Sequence, residues 1–380
     1  MTGSARWAAF LPTVKMTVAA IFLALVVGAF LIISSTPRVI ESLQYFFSYP
    51  WDFFRYSAIA VWDGYTALLD GSIGSWGSLE RTVERAAPLI CAGLGVSLAF
   101  RSGLFNIGAQ GQLLLGAIAA GYIGFHFDLP PGIHLVVAAL GAIVAGAFWG
   151  GIAGWLKAAT GAHEVISTIM LNYVARFLIL YLLAQEAFQR PGSDDRLSPP
   201  PADSATFPTL FDVHLGVVLA FLAALGVWWL LERSTLGFEM RAVGANPDAA
   251  RTAGMRVPRI YFLAMAIAGG LAGLAAVMAV LGQGSSLNDN IAGTVGFDAI
   301  TVALLGRATP LGTVLAGLLF GALSSGGLSM QAAAGVPPEL AQVLQALIVL
   351  FVAAPALVRG VLRIKAEGDG GTVMAKGWGS

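Results

Sequence analysis

Residues 101–121 read RSGLFNIGAQGQLLLGAIAAG, a polar, glycine-punctuated stretch that turns into an apolar helix. This change predicts a chain that leaves the aqueous phase and enters a lipid bilayer. Three amide side chains stand at the point of entry, those of Asn106, Gln110 and Gln112. A buried amide is costly without hydrogen-bond partners, so these side chains either bond neighbouring helices or line a polar cavity. The residues alone are compatible with both roles.

The composition of the whole chain indicates whether it is soluble or lies in a membrane. Of 380 residues, 57% are hydrophobic and only 11% are charged, whereas soluble domains carry about 25% charged residues. We therefore predict an all-α polytopic membrane protein with one transmembrane domain over residues 1–380. The net charge of zero gives no reason to expect a nucleic-acid partner. The single cysteine, Cys91, lies in an apolar run and is predicted to be a packing residue.

Apolar runs predict about ten transmembrane helices, some of them short or broken. The predicted spans are about 16–33, 84–100, 104–125, 133–156, 165–185, 213–231, 260–281, 294–306, 310–327 and 340–358. The first run lacks a signal-peptide cleavage pattern and is predicted to be retained. The run before Arg307 is short, and the sequence RATPLG is equally compatible with a broken helix or a re-entrant hairpin.

Lysine and arginine residues near the span ends predict the orientation of the chain. With ten spans, they all fall on one side, which the positive-inside rule makes cytoplasmic together with both termini. These residues are Arg6, Lys15, Arg101, Lys157, Arg233, Arg241, Arg251, Arg256, Arg259, Arg359, Arg363 and Lys365.

Two predicted extracytoplasmic segments differ in character. Residues 34–83 contain YFFSYPWDFFRY, whose dense aromatics and scattered charges predict a helix in the lipid headgroup region and contact with membrane lipid. Residues 186–212 are rich in proline, serine and acidic residues, which predicts a solvated loop. That loop is either a linker or a surface for an external partner.

The predicted cytoplasmic loop, residues 232–259, carries the signals of a short helix at about 247–253. Asn246 is a favourable N-cap and Pro247 suits the first helical position. Asp248 favours the positive end of the helix dipole, and Gly254 can end the helix in a left-handed conformation. The residues alone fit a capped connector and a docking element for another protein equally well.

Catalytic chemistry finds no support in the sequence. No metal-ligand spacing, nucleophile motif or phosphate-binding loop occurs, which argues against a polytopic enzyme. The ionisable residues in or beside the spans are Glu164, Arg176, Asp298 and Arg307. None is a carboxylate at mid-depth, which weighs against an ion-coupled secondary transporter as the alternative. Polar amides are more plentiful than charged groups. Besides the three at the entry point, they include Asn172 and Gln283.

Four blocks of sequence carry a resemblance to a known family. They are SLERTVERAAPLICAGLGVSLAFRSGLFNIGAQGQLLLGA, GAHEVISTIMLNYVA, RAVGANPDAARTAGM and GFDAITVALLGRATPLGTVLAGLLFGAL, in this order. Over residues about 60–360 the chain resembles permease subunits of bacterial ABC importers of the branched-chain amino acid and simple-sugar superfamily. The blocks FNIGAQGQ and EVISTIMLNY are similar to the branch that takes up nucleosides.

The resemblance implies a fold and a set of partners. It implies about ten helices in two related halves, in the bacterial plasma (inner) membrane. The implied partners are a second permease subunit, usually a different and shorter chain, a tandem-domain ABC ATPase and an extracytoplasmic solute-binding lipoprotein. ATP would bind the ATPase, so this chain itself would hold no cofactor. The alternative solute is a simple sugar such as a pentose.

The resemblance also implies roles for individual residues. The substrate pathway would include Asn106, Gln110, Gln112, Glu164 and Asn172. The helix in the 232–259 loop would couple to the ATPase, with the matching residues Arg241, Gly244, Asn246, Asp248 and Gly254. Relatives commonly carry an acid where this chain has Gln110, so the corresponding contact here is neutral.

Overall fold

The computed structural model describes residues 3–192, 195–210 and 212–362, and within these ranges the chain is mostly helical with almost no strand. The helices are α1 Gly3–Ser35, α2 Pro37–Leu43, α3 Pro50–Ile73, α4 Trp76–Arg101, α5 Ala109–His126, α6 Ile133–Thr160, α7 Glu164–Leu182, α8 Gly216–Arg233, α9 Thr235–Ala245, α10 Pro247–Thr252, α11 Val257–Val277, α12 Val295–Leu305, α13 Pro310–Ala334, α14 Pro338–Ala353 and α15 Pro355–Leu362. A 3-10 turn covers Asp203–Ala205 and a π-helical turn, Met278–Gly282, extends α11. Strands β1, Thr209–Leu210, and β2, Val213–His214, pair antiparallel with Leu210 opposite Val213.

The prediction of an all-α polytopic membrane protein is confirmed. Among the described residues, seven helices are long and apolar enough to cross a bilayer: α1, α4, α6, α7, α8, α11 with its π turn, and α13. Two shorter apolar stretches lie in α12 and α14. Helix α5 covers a further predicted span but is less apolar, because Gln110 and Gln112 occupy its first turn and His126 its last.

The helices belong to two compact units of the chain. One unit comprises residues 1–64 and 334–380, and in it α1 packs against α14 and α15. The other comprises residues 65–333. In this second unit, α4 and α11 are the central helices, with 78% and 67% of their apolar windows buried, against 28% for α6 and 22% for α7. Large exposed side chains of α6, including Leu140, Val144 and Phe148, form a face suited to lipid.

Small residues set the contact between α6 and α11. Gly146 and Gly269 face one another so closely that a Cβ atom on either would collide with the carbonyl oxygen of the other. One turn farther along α11, a Cβ on Gly273 would collide with the carbonyl oxygen of Ala142. Backbone thus packs on backbone, which is how membrane helices associate where lipid supplies no hydrophobic driving force.

Several predicted boundaries were wrong for identifiable local reasons. The span predicted at 104–125 begins only at Ala109, because residues 104–107 form no helix. The span predicted from 213 begins at Gly216, because Val213 and His214 pair with β1. The span predicted at 340–358 is two helices that divide before Pro355, a residue without the N–H that a continuous helix requires.

The short predicted span before Arg307 proves to be an interrupted helix pair. Helix α12 has 11 residues, and Arg307 and Ala308 then turn the chain with φ of 53° and 48° into α13. Arg101 stabilises this turn, because its Nε donates to the carbonyl oxygen of Ala308 at 2.9 Å. Backbone strain at two non-glycine residues is therefore offset by a charge-assisted hydrogen bond from α4.

The 186–212 segment is irregular, as predicted, but parts of it pack against the helix ends. Ser198 is fully buried, and its hydroxyl accepts a hydrogen bond from the backbone N–H of Leu287 at 2.8 Å. The backbone N–H of Ala202 donates to Gly124 at 2.8 Å, and that of Phe207 donates to Leu281 at 3.1 Å. The prediction of a solvated loop was wrong for these residues, since proline and serine content predicts irregular backbone but not its exposure.

The aromatic 34–83 segment contains the predicted helix. Pro50 begins α3, whose Trp51 and Trp62 are exposed by 64% and 71%. Phe46, before the helix, contacts Phe53 edge to face with ring centroids 5.6 Å apart. Exposed indoles on an amphipathic helix are typical of the membrane interface. The location of α3 in the headgroup region stays a prediction.

We expect Gly269→Ala to destabilise the protein by about 2 kcal/mol, because the added methyl group must separate α6 from α11. Thermal unfolding of the purified chain in detergent, followed by tryptophan fluorescence, measures the effect. The matched control is Gly226→Ala on α8, where an added Cβ meets nothing within 4 Å. Equal melting temperatures for the two variants would contradict close α6–α11 packing.

Candidate solute cavity

The α4–α5 joint, residues 102–108, is the non-helical connection between two packed helices. Gly103 ends the α4 turn in the left-handed region with φ of 74°. The joint is deeply buried, since Leu104 and Asn106 are only 1% and 0% exposed. Its backbone N–H and C=O groups therefore need partners from within the protein. Side chains of α7, Asn106 of the joint itself and backbone carbonyls of α4 provide several of them.

Asn106 and Gln112 form a closed amide pair behind the first turn of α5. The Asn106 Nδ2 donates to Gln112 Oε1 at 3.1 Å, and Gln112 Nε2 donates back to Asn106 Oδ1 at 3.3 Å. Asn106 Oδ1 also accepts the backbone N–H of Gly108 at 2.9 Å. Both amides are essentially unexposed, at 0% and 1%. In this conformation they therefore hold the joint and do not reach a solute cavity.

Asn172 fastens the joint to α7 from the other side. Its Oδ1 accepts the backbone N–H of Gly111 at 2.8 Å, and its Nδ2 donates to the carbonyl oxygen of Ile107 at 2.9 Å. Gly111 is one of the first α5 residues, whose N–H groups have no partner inside the helix. One side chain of α7 thus satisfies one backbone group on each side of the start of α5.

Gln110 points the other way, toward the connection before α12. Its Nε2 donates to the carbonyl oxygen of Gly293 at 2.8 Å. Its Oε1 accepts the backbone N–H of Gly296 at 2.9 Å. Both ends of the side chain are thus engaged with backbone from a distant part of the sequence.

A cavity of about 610 Å³ lies between α5, α7 and the connection before α12. Cavities of this size hold small organic ligands. Its walls combine aliphatic and aromatic surface with amides and one charge of each sign. The lining residues are Ile107, Gln110, Leu114, Ile169, Asn172, Tyr173, Arg176, Asp289, Asn290, Ala292, Gly293 and Phe297.

Three polar lining residues were absent from the predicted pathway. Arg176 is one of the ionisable residues that the sequence places in or beside the spans, and the structure places it on α7 in the cavity wall. A charge within a membrane helix normally faces a polar cavity or a partner, and this rule is the signal that sequence offered. Asp289 and Asn290 lie in the connection before α12, and no local pattern indicates that this connection meets α5 and α7.

Glu164, predicted in the substrate pathway, lies outside the cavity wall. Its carboxylate pairs with Lys157 at 2.9 Å across the turn between α6 and α7. It also accepts a hydrogen bond from the backbone of Phe105 in the α4–α5 joint. The structure therefore brings Gln110 and Asn172 to the cavity and places Asn106, Gln112 and Glu164 around the joint.

The 232–259 segment contains the predicted short helix and one that sequence reasoning missed. Asn246 caps α10 as predicted, because its Oδ1 accepts the N–H groups of Asp248 at 3.0 Å and Ala249 at 2.9 Å. Gly254 follows with φ of 85°, the left-handed value expected after a helix end. The additional helix, α9, begins at a Ser234 cap whose hydroxyl accepts the Gly237 N–H at 2.9 Å.

Helix α9 carries Arg241 and Gly244 and contacts the α4–α5 joint directly. A Cβ on Gly244 would collide with the carbonyl oxygen of Arg101, and one on Gly103 would stand 3.0 Å from the Cα of Gly244. The two chain segments thus meet through backbone atoms. Only five residues separate Gly103, at this contact, from Ala109, where α5 begins beside the cavity.

The apolar helices define a multi-pass membrane protein, and its cavity is of a size that holds small organic solutes. A family model described as "Branched-chain amino acid transport system / permease component" matches residues 78–353. The chain belongs to this family and is a transport component, as predicted, rather than an enzyme.

Named relatives support the same class. The guanosine ABC transporter permease protein NupP of Bacillus subtilis is 41% identical over 82% of this chain and 91% of its own. A glucose ABC transporter permease protein of Haloferax volcanii is 38% identical over 76% of this chain and 79% of its own. The nucleoside ABC transporter permease protein NupB of Lactococcus lactis is 35% identical over 80% and 86%. No solved structure matches the chain significantly.

We expect Asn172→Leu to destabilise the chain by about 2 kcal/mol, because the Gly111 N–H and the Ile107 carbonyl lose their partner. The readout is a lower midpoint temperature of the cooperative unfolding transition, followed by tryptophan fluorescence. Asn290→Leu is the matched control, since Asn290 is exposed and its side chain makes no hydrogen bond within the described residues. A smaller shift for Asn172→Leu than for the control would disprove the role of Asn172.

Proposed function

We propose that the chain is the permease subunit of an ATP-driven importer of nucleosides and forms half of the translocation path. The observation that carries this proposal is the 41% identity to a guanosine permease over nearly the full length of both chains. The cavity supports it, because Tyr173 and Phe297 offer aromatic faces beside amide groups. A nucleoside has a flat base that stacks on such faces and hydroxyl groups that exchange hydrogen bonds with amides.

The polar side chains of the cavity suit a neutral solute with both donors and acceptors. Arg176 can only donate and Asp289 can only accept when ionised, while Asn290 can do both. A strongly charged solute would be attracted by one of the two ionic groups and repelled by the other. Arg176 is exposed in this chain, which suits a residue that meets solute or a second permease subunit.

A simple sugar is the second candidate solute. The 38% identity to a glucose permease favours it, and the hydroxyl groups of a sugar match the same amides. The two solutes differ in their need for an aromatic contact, since a pyranose has no flat base to stack between Tyr173 and Phe297. Competition between nucleoside and sugar for uptake distinguishes them.

The proposed assembly contains a second, different permease. Bacillus subtilis has a second guanosine ABC transporter permease protein, NupQ, which is 26% identical to this chain over 63% of it. Two distinct relatives with the same named solute in one organism support a heterodimeric path. A tandem-domain ABC ATPase would bind ATP, and a solute-binding lipoprotein would deliver solute from outside, so this chain would need no cofactor of its own.

The proposed location is the bacterial plasma (inner) membrane with both termini in the cytoplasm. The arginine-rich 232–259 segment then lies inside the cell, where it can meet the ATPase. Closure of the ATPase upon binding ATP would move α10, and α9 would transmit that movement to the α4–α5 joint. Of the terminal cations used to predict this orientation, Arg363 and Lys365 lie outside the described residues.

Reconstitution tests the class and the solute together. We expect ATP-dependent accumulation of radiolabelled guanosine in liposomes that hold this chain, the second permease, the ATPase and the binding lipoprotein. An ionophore that collapses ion gradients should leave uptake largely intact. Uptake by this chain without the ATPase, or abolition by the ionophore, would instead indicate an ion-coupled carrier. Saturable uptake of glucose or a pentose, unaffected by guanosine, would replace the nucleoside by a sugar.

The proposed coupling role of α10 is tested at its cap. Replacing a capping asparagine by alanine costs about 1 kcal/mol of helix stability, so Asn246→Ala should lower uptake about fivefold while the complex still assembles. Asn246→Ser preserves a capping oxygen and should restore uptake. Pull-down of the ATPase and its hydrolysis rate, measured beside uptake, separate coupling from assembly. Full activity of Asn246→Ala would contradict the role of this helix.

A further inference from the structure

One wall of the cavity is formed by residues 289–296, here called the cavity segment. The segment is non-helical except for its last two residues, which begin α12. Four of its residues line the cavity: Asp289, Asn290, Ala292 and Gly293. Most of the segment's backbone bonds are local, such as those from Gly293 N–H to the Asn290 oxygen at 2.8 Å and from Val295 N–H to the Ala292 oxygen at 3.1 Å. Turn bonds shape the segment but do not attach it to the helices across the cavity.

Gln110 supplies that attachment. Its amide nitrogen donates to the Gly293 carbonyl at 2.8 Å, and its amide oxygen accepts the Gly296 N–H at 2.9 Å. The main chains also approach closely, since a Cβ on Gly296 would collide with the backbone of Gln110. The side chain of α5 therefore bridges two points of the cavity segment that lie three residues apart.

The bridge places a chemical requirement on position 110. One partner is a carbonyl oxygen, which needs a donor, and the other is an N–H group, which needs an acceptor. A glutamine amide has both, whereas an ionised carboxylate has acceptors only. Glutamate would keep the bond from Gly296 but would set its second oxygen against the Gly293 carbonyl. An alkyl side chain would lose both bonds.

We propose that Gln110 is a positioning residue that fastens the cavity segment to the first turn of α5, and that the two-bond bridge of this chain requires an amide. The side chain sets the cavity wall through both of its polar atoms, rather than by offering a free amide to solute. Because the attached residues include Asp289 and Asn290, Gln110 also determines where these polar side chains stand. The inference rests on the proposed function only in naming the cavity a solute site.

A thiol reporter measures release of the segment without any need for transport. Ala292 is 2% exposed, so a cysteine placed there reacts slowly with a maleimide while the segment is closed and faster when the segment opens. The native Cys91 is fully buried and gives little background. In the purified full-length chain carrying Ala292→Cys, we expect Gln110→Ala to raise the labelling rate about tenfold, because two hydrogen bonds that oppose opening are lost.

Gln110→Glu gives a sharper test, because its effect depends on protonation. At pH 7.5 the carboxylate should raise labelling severalfold over the Gln110 parent. At pH 4.0, below the ordinary glutamate pKa of about 4.3, most of the carboxyl is protonated, and its O–H can donate to Gly293 while the other oxygen accepts from Gly296. The ratio of labelling rates should therefore fall toward one as the pH is lowered.

The pH comparison needs the neighbouring groups as controls. Arg176 and Tyr173 on α7, Asp289 in the segment and Asp298 on α12 are the charged or titratable groups around the bridge. All are present in the Gln110 parent, so dividing by its rate at each pH removes their titration and that of the reporter thiol. Gln283→Glu adds the same charge at an exposed position near the segment and should change nothing.

Two results would overturn the proposal. One is equal labelling of the Gln110→Ala and Gln110 chains. The other is a Gln110→Glu ratio that does not change with pH. If the Ala292→Cys reporter itself fails to fold, hydrogen exchange of the peptide covering residues 289–297 in the single-substitution chains measures the same opening. A complex that transports no nucleoside would refute the proposed solute and leave these labelling results standing.

Discussion

The arrangement of the cavity depends on the need of buried, non-helical backbone for hydrogen-bond partners. Between α4 and α5, the chain leaves the helical conformation where Ser102, Leu104, Asn106 and Gly108 are buried, and their polar groups need partners within the protein. Asn106 of the joint itself and Asn172 and Glu164 of α7 bond the backbone of this joint. The amides at the entrance of α5 are thus first of all structural, and the cavity lies where these bonds hold the helices apart.

The same joint stands between two regions with different proposed roles. At Gly103 it touches α9, which leads into the capped helix α10. At Ile107 it reaches the cavity wall and the Asn172 side chain. A rigid hydrogen-bonded element between the two gives movement of α10 a physical route to the cavity. The route is short because Gly103 and Gly244 let two backbones meet without side chains between them.

Hydrophobic runs in the sequence predicted where the spanning helices lie, and cap chemistry predicted α10, because both signals are local. Sequence reasoning missed α9, whose Ser234 cap lies inside a charged loop that reads as a connector. The family resemblance implied a pathway role for Glu164. In the structure, Lys157, seven residues earlier, is its ion-pair partner across a turn. The sequence also identified Arg176 as unusual, because a charged side chain within a membrane helix is costly. It did not show which surface Arg176 faces.

The sequence by itself determined that this chain crosses a membrane repeatedly, where most helices lie, and to which family it belongs. These properties follow from composition, from hydrophobic runs and from the order and spacing of motifs within one chain. Only the tertiary structure decided which amides face the cavity, because Gln110 and Gln112 are two residues apart yet point to opposite sides of α5. Their partners come from residues 293–296 and from Asn106. Contacts between residues about 180 positions apart depend on helix packing, which no local pattern encodes.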